Sequence, residues 1–381
     1  MYLDASSTAK YGDVDDIIVN AMKEAMEEYW MNPSSLYASD VKNKINRCRN
    51  KISEYIGAKP EEIYFTSGAS ESNNWVLRGF ADESWRHLYD NPYIITTTIE
   101  HKSIMEAVKN ESLGAIVRYC EVDKYGMVDL DHLEELLKQC DDNPVLVSVC
   151  MANNEIGVVQ HIKIISHLVH SFNGVLHVDA TQALTHIPID VENLGIDLLS
   201  ASGHKISTVL KGVGFLYKRN GVDIQPLIYG SQESGLRGGT ENTFGIVGLS
   251  KALDYHSINY EKIGEMIDKR NYFINLLETR FGCKLNGHYE YRLPNNINVT
   301  FPHNITGEAL LWTLDLSDMQ ISTGSACNSH SIEPSHVLKA IGLSDKDAMK
   351  TIRISLSEDI TYEDISNVVS EIDKAISIIS A

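Results

Sequence analysis

Apolar and polar residues follow two different periods along this chain, and these periods predict strands and helices in alternation. Between residues 63 and 217, seven short and mostly apolar runs are separated by stretches with helical spacing or by turns. Short apolar runs indicate buried strands, and strands that alternate with helices favour a mainly parallel sheet covered on both faces. The predicted strands are 63–66, 93–98, 115–120, 145–150, 175–179, 197–201 and 213–217.

Helical spacing also flanks this region. Helices are predicted at 15–30 and 41–56, and a long one through about 246–280. The remainder has an α+β pattern, with elements predicted at 296–301, 307–316, 320–323, 335–341, 351–356 and 361–379. We place a domain boundary inside the long helix, which gives a large domain of 15–255 and a small domain of 1–14 with 256–381.

Composition narrows the classes of function. The 381 residues are 43% hydrophobic and carry a formal net charge of −19, which argues against binding to nucleic acid or to an anionic membrane. No apolar run is long enough to span a bilayer and no signal segment is evident, so we expect a cytoplasmic protein. The six cysteines form no CxxC pair, so neither a disulfide framework nor a metal site is predicted.

The chemistry concentrates where two neighbouring strands end. The run 175–178 ends in Asp179, and the run 197–201 ends in Ser202-Gly203-His204-Lys205. In an open α/β sheet, ligands bind at the carboxyl edge of the strands. A carboxylate beside an amine and an imidazole can hold a protonated pyridine ring and form a Schiff base with an aldehyde.

Other strand ends carry candidate ligand groups, each with a plainer alternative. Residues 66–73 lead from a strand into a helix, and this junction is either an anion cradle or a simple serine N-cap. His101 can lie over an aromatic cofactor or be a polar loop residue. Asn153 and Asn154 follow a strand and suit ligand binding better than core packing. The glycine-rich loop 229–242 is expected to cover a site or a subunit contact.

Two residues near the carboxyl end stand out. Cys327 lies among small residues in 322–331, a segment typical of a mobile loop, where a thiol has no packing role. It is either a reactive thiol or a tolerated surface cysteine, and His330 is a candidate to promote its thiolate. Arg353 interrupts an apolar strand, as either a carboxylate clamp or half of a structural ion pair.

With these residues in hand, the chain resembles the cysteine desulfurases, enzymes of the class V aminotransferase group that depend on pyridoxal 5′-phosphate (PLP). The resemblance covers nearly the whole chain in the family's order. The matching segments are TSGASESNN, EHKS, NNEIGVVQ, HVDATQAL, SGHK, GLRGGTEN, GSACNS, EPSHVLKAIG and IRISL. It implies the fold-type I architecture, with a seven-stranded sheet in the large domain and a smaller α+β C-terminal domain.

The resemblance also implies a set of cofactor contacts. Lys205 would form the Schiff base, Asp179 would pair with the pyridine nitrogen, Gln182 would bond the phenolic oxygen and His101 would stack on the ring. Thr240 would reach the neighbouring subunit's phosphate, which implies a homodimer. The full cofactor-binding set is Ala69, Ser70, His101, Asn154, Asp179, Gln182, Ser202, His204, Lys205 and Thr240.

The implied reaction converts L-cysteine to L-alanine. Asn154 and Arg353 would bind the substrate, and Lys205, Cys327 and His101 would be catalytic. Sulfur would leave as a persulfide on Cys327 for an acceptor protein, and the loop length resembles the subgroup that serves iron–sulfur scaffolds.

Departures from the family pattern surround the expected substrate pocket. The family's YLDNAATT is YLDASSTAK here, its NPSSxH turn has Tyr37 in place of histidine, and residues 206–211 are one residue longer than usual. Two alternatives therefore stay open. One is a selenocysteine or cysteine-sulfinate lyase on the same scaffold, and the other is a non-catalytic sulfur-handling subunit.

Overall fold

A computed structural model describes residues 1–86, 92–302, 305–323 and 333–380. Cys327 and His330 therefore lie outside the described residues, as does most of the loop predicted around them. Within the described residues, eight α-helices lie in the first 255 positions, and the first two have bounds close to the predicted 15–30 and 41–56. The eight are α1 Asp13–Glu28, α2 Ser39–Ile56, α3 Ala69–Arg86, α4 Lys102–Val108, α5 Leu130–Lys138, α6 Ile162–Ser171, α7 Val191–Leu194 and α8 Thr243–Tyr255.

The described residues of this region form a seven-stranded sheet in the order β1-β7-β6-β5-β4-β2-β3. Strand β7 runs antiparallel to its neighbours β1 and β6, and the other pairs are parallel. This confirms the predicted mainly parallel sheet. The strands are β1 Ile63–Thr66, β2 Tyr93–Thr97, β3 Ile116–Cys120, β4 Val145–Cys150, β5 Val175–Asp179, β6 Leu198–Ser202 and β7 Gly214–Lys218.

The central strands are buried on both faces, which explains their continuous apolar sequence. Every residue of β4 and of β6 is buried. Helices on both sides cover such strands, so no face is left to carry polar residues. Polar groups consequently collect at the strand ends.

The carboxyl-terminal region is a second α/β unit built on a three-stranded antiparallel sheet with the order β10-β9-β8. Leu3 packs in its hydrophobic cluster, with Phe273, Ile297 and Ile352 among others. The elements are α9 Tyr260–Phe281, β8 Lys284–Leu285, β9 Asn296–Thr300, α10 Gly307–Asp315, α11 His336–Ala340, α12 Asp345–Ala348, β10 Thr351–Ser355 and α13 Tyr362–Ser380.

Two predicted elements were wrong. The long helix expected through 246–280 is two helices, α8 and α9, separated by residues 256–259. Asn259 accounts for the break, because its side chain accepts hydrogen bonds from the backbone N–H groups of Glu261 and Lys262 and so starts a new helix. The strand expected at 320–323 consists of isolated bridges, from Gln320 to Tyr2 and from Ser322 to Arg353.

Candidate active site

The predicted site residues meet in a cavity of about 950 Å³ at the carboxyl edge of the large sheet. Its lining includes most of the residues that the sequence selected. These are Ala69, Ser70, His101, Asn154, Asp179, Gln182, Ser202, His204, Lys205 and Arg353. Thr240 does not line this cavity and is exposed in the single chain.

Asp179 is fixed at the end of β5 by hydrogen bonds to both carboxylate oxygens. The Asn73 side chain donates to Oδ2 at 2.8 Å, and the Thr181 backbone N–H donates to Oδ1 at 3.0 Å. Asp179 pairs with Ser200 of β6 in the parallel ladder, three residues before Gly203. The Asp179 carboxylate is therefore held at a rigid strand end, close to the segment that carries Lys205.

The Lys205 amine follows directly from the end of β6 and contacts the amino-terminal segment. Its Nζ donates to the backbone oxygens of Ser6 at 2.5 Å and of Ser7 at 2.8 Å. Gln182 also donates to the Ser6 oxygen, at 2.9 Å. We call Asp179, Ser202, His204 and Lys205 the strand-end wall of the cavity.

Burial favours the neutral form of two imidazoles in this cavity, His101 and His204. Burial lowers the pKa of His101, more than nearby Asp179 raises it. Burial, with help from Lys205, lowers the pKa of His204 to about 4, and its Nδ1 lies 2.8 Å from Ser202 Oγ. Neutral rings can stack on an aromatic cofactor or hydrogen bond to it without adding positive charge.

An anion cradle adjoins the strand-end wall where β1 turns into α3. The first N–H groups of α3, which begins at Ala69, have no acceptors within the helix. Gly68 makes the turn with φ +148°, and a Cβ added there would lie 3.1 Å from Ser202 Oγ. Small residues thus leave room for an anionic group between the helix and the end of β6.

Arg353 lines the same cavity from β10 and is already paired. Its Nη2 lies 2.6 Å from Asp4 Oδ1 and 2.8 Å from Ser7 Oγ, and its Nη1 donates to the Asn154 backbone oxygen at 3.0 Å. Arg353 therefore forms an ion pair and also lines the cavity, and its role as a carboxylate clamp stays a prediction. We call residues 4–7 together with Arg353 the terminal wall.

Two buried glutamates of the cavity were not assigned from the sequence. Burial raises the pKa of Glu100 to about 7 and that of Glu155 to about 7. Thr97 donates to Glu100 at 2.6 Å, whereas Glu100 Oε2 has no partner among the described residues. Glu100 follows soon after the apolar strand predicted at 93–98, and this position could have indicated a site residue. The interpretation was given to the neighbouring His101 alone.

Comparison with known proteins identifies the scaffold. Residues 1–368 match the family described as aminotransferase class-V. The chain belongs to the class-V aminotransferase family. Within it, the chain is 42% identical over 99% of its length to cysteine desulfurase IscS of Methanosarcina thermophila and covers 92% of that protein. It is 40% identical, again over 99% of its length, to cysteine desulfurase IscS of Dictyoglomus turgidum, of which it covers 94%.

Solved structures give the same result. A NifS-like protein superposes with a TM-score of 0.89 at 34% identity, over 99% of each chain. A NifS-like protein from Rickettsia africae superposes with a TM-score of 0.84 at 31% identity, over 99% of each chain. The resemblance to the cysteine desulfurases and the fold-type I class are confirmed, and with them an enzyme that uses PLP.

The cavity of this family member fits PLP by its own geometry. The cradle at α3 suits the phosphate, Asp179 is held with both oxygens oriented, and the Lys205 amine is within the same cavity. Thr181 also lines this cavity, and its buried Oγ1 has no hydrogen-bond partner in the described part of the chain. Each polar part of the cofactor thus has a complementary group.

Proposed function

We propose that this enzyme is a cysteine desulfurase that converts L-cysteine to L-alanine and transfers sulfur, as a persulfide on Cys327, to an acceptor protein. The observation that carries the proposal is one cavity lined by Asp179, Lys205 and Arg353 together. The names of the relatives support desulfuration over the selenocysteine and sulfinate alternatives.

The residues have separable tasks in this reaction. Arg353 and Asn154 bind the substrate carboxylate, and Lys205 moves the proton at Cα. PLP, when bound, supplies a protonated ring that accepts the electron pair released at Cα, and Asp179 keeps that ring protonated. His101 would lie over the ring, and burial, which lowers its pKa, favours its uncharged form.

The sulfur step conserves atoms and electrons without a further oxidant. The Cys327 thiolate attacks the substrate sulfur, the carbon–sulfur bond breaks, and its electron pair stays on the carbon side. Protonation then gives L-alanine, and the sulfur remains on Cys327 as a persulfide. One thiol and one cysteine therefore give one persulfide and one alanine.

The other cysteines support this assignment of the nucleophile. Five cysteines lie in the described residues, and all are buried. Burial raises the pKa of each thiol, to about 12 for Cys120 and for Cys283 and to about 11 for Cys140. Thiols of this kind form little thiolate near pH 7, so a nucleophile is better sought at Cys327.

The test is to incubate the purified protein separately with L-cysteine, L-selenocysteine and L-cysteine sulfinate. Alanine and protein-bound persulfide are measured after each incubation. We expect both from L-cysteine, and neither from L-cysteine with Cys327→Ser, whereas Cys140→Ala retains both. Equal alanine release from L-cysteine by Cys327→Ser and wild type would disprove the persulfide step.

We also propose a homodimer in which Thr240 reaches the phosphate of the partner subunit. Four large apolar side chains, Trp30, Leu36, Tyr37 and Tyr229, are exposed, and an apolar surface of this kind is typical of a contact between chains. Their two segments are adjacent, since Gln232 Nε2 lies 3.5 Å from Ser34 Oγ. The molar mass from light scattering should be that of a dimer for wild type and that of a monomer for the double variant Leu36→Asp with Tyr229→Asp. A monomeric wild type would refute the proposed homodimer.

The domain division and the location complete the proposal. Two separate hydrophobic clusters, one centred on the large sheet and one on the small sheet, support a large domain of 15–255 and a small domain of 1–14 with 256–381. Residues 337 and 338 in α11, although they belong to the small domain by this division, pack with Ile99 and Val158 beside the large sheet.

None of the described helices is both long and apolar enough to cross a membrane, and the cytoplasmic location stays a prediction. The acceptor we propose is an iron–sulfur scaffold protein.

A further inference from the structure

The guanidinium expected to bind the substrate carboxylate already has a carboxylate partner. Asp4 Oδ1 lies 2.6 Å from Arg353 Nη2, and the Arg353 side chain is only 4% exposed. A guanidinium has five N–H donors in a planar fork, and a carboxylate binds best through two of them. Here Nη2 is shared by Asp4 and Ser7, and Nη1 is used by the Asn154 oxygen.

These three contacts leave two of the five N–H donors, one of them on Nε. Arg353 Nε is buried and has no hydrogen-bond acceptor among the described residues. An incoming carboxylate that used Nε and one neighbouring N–H would compete with Asp4 for the guanidinium. The pair of Arg353 and Asp4 is also neutral overall, which weakens the attraction for an anionic group.

The position of Asp4 does not depend on this ion pair. The backbone at Asp4 bridges to Ser355 of β10, and the Ser6 N–H donates to Ser355 Oγ at 3.0 Å. Leu3 is fully buried in the hydrophobic cluster of the small sheet. Asp4 is therefore held beside Arg353 by its backbone and would stay there when the pair opens.

Ser7 adds a second group that faces the guanidinium. Its Oγ accepts from Arg353 Nη2 at 2.8 Å, and Ser7 lines the cavity. A serine hydroxyl that accepts from a cation keeps its own hydrogen to donate. That hydrogen is suited to a carboxylate bound at Arg353.

We propose that Asp4 and Ser7 determine the affinity of this site for the substrate carboxylate. Asp4 competes with the substrate carboxylate for Arg353 and therefore weakens binding of the substrate. Ser7 donates a hydrogen bond to the substrate carboxylate and therefore strengthens binding. Asp4 acts through Arg353 and is a positioning residue. This inference rests on the proposed function, from which the place of the substrate carboxylate is taken.

The test uses the holoenzyme and two ligands that differ only in the carboxylate, L-alanine and L-alaninamide. Their dissociation constants are measured by isothermal titration calorimetry for wild type, Asp4→Asn and Ser7→Ala. We expect Asp4→Asn to bind L-alanine about tenfold more tightly than wild type, and Ser7→Ala to bind it about fivefold more weakly. Neither variant should bind L-alaninamide more tightly than wild type does. The KM for L-cysteine should change in the same directions, with kcat within about threefold of wild type.

Asp359→Asn is the matched control, because Asp359 pairs with Lys10 at 2.6 Å on the surface. It should leave both dissociation constants unchanged, and thermal melting confirms that each variant is folded. Unchanged or weaker L-alanine binding by folded Asp4→Asn would overturn the role proposed for Asp4. Unchanged L-alanine binding by folded Ser7→Ala would overturn the role proposed for Ser7. Wild type that binds acid and amide equally would overturn both, together with the role given to Arg353. Failure of the desulfurase proposal would instead be seen as absence of alanine from L-cysteine.

Discussion

The two walls of the cavity are assembled in different ways. The strand-end wall comes from one stretch of chain, 179–205, in which Asp179 pairs with Ser200 on the adjacent strand. The terminal wall joins Asp4 to Arg353, which are 349 positions apart. A wall made by adjacent strands fixes its groups through the sheet, and we expect it to carry the chemistry. A wall made by docking of the amino-terminal segment is open to variation, and we expect it to select the ligand.

The first prediction tests whether the strand-end wall carries the chemistry. Lys205→Ala should lower alanine formation from L-cysteine by about 10⁴-fold, because it removes the amine proposed to move the proton at Cα. Lys211→Ala is the matched control, since Lys211 is exposed in the following loop. Turnover is measured on protein saturated with PLP. Residual activity above one per cent in Lys205→Ala would show that the proton is moved by another group.

The second prediction compares two aspartates at opposite edges of the sheet. Asp179→Asn should lower kcat by about 10²- to 10³-fold, because it removes the carboxylate charge proposed to face the ring nitrogen. Asp197 lies at the other end of β6, where it pairs with His170 at 2.8 Å and accepts from the Leu176 N–H at 2.8 Å. Asp197→Asn should therefore destabilise the fold by about 1–3 kcal/mol with kcat retained. Turnover and urea unfolding are measured for both variants. An equal loss of kcat in the two variants would contradict the separation of a catalytic Asp179 from a structural Asp197.

The strand-end wall was predictable from the sequence because its signals are local. A buried strand of the large sheet reads as a short apolar run, and its end is marked by the first charged residue, as at Asp179. Parallel strands then bring their ends to one edge, so that Asp179 and Lys205 meet without further information. The same logic placed His101 and Asn154 in the cavity.

The terminal wall was not predictable in the same way. The apolar strand around Arg353 showed that its charge needs a partner, but no local pattern connects it with Asp4. That contact depends on docking of the amino-terminal segment on β10, through the bridge from Asp4 to Ser355. The break at 256–259 was missed for a related reason, because the helical spacing continues through it while the Asn259 cap decides the geometry.

The third prediction concerns the buried acid beside the strand-end wall. Burial raises the pKa of Glu100 from 4.5 to about 7, so between these values the folded state keeps a proton that the unfolded state releases. The contribution of Glu100 to stability is then complete below pH 4.5 and is lost as the pH rises through 7. Relative to Glu100→Gln, wild type should lose about 3 kcal/mol of unfolding free energy between pH 4.5 and pH 8.

Urea unfolding of both proteins across this pH range measures the difference, in which titrations that they share cancel. Glu135→Gln serves as the control, since Glu135 is exposed, and its difference from wild type should not vary with pH. A pH-independent difference for Glu100→Gln would show that Glu100 has the same pKa in the folded and unfolded states.

The last prediction tests whether the terminal wall selects the ligand through geometry as well as charge. Arg353→Lys keeps the positive charge beside Asp4 but removes the planar fork that reaches Asp4, Ser7 and the Asn154 oxygen together. The KM for L-cysteine should rise about tenfold, with kcat within a few-fold of wild type, because the strand-end wall is untouched. Arg280→Lys is the control, since Arg280 pairs with Asp373 at 2.7 Å on the surface. A fall in kcat with an unchanged KM would mean that the terminal wall takes part in the chemistry, and the contrast between the two walls would fail.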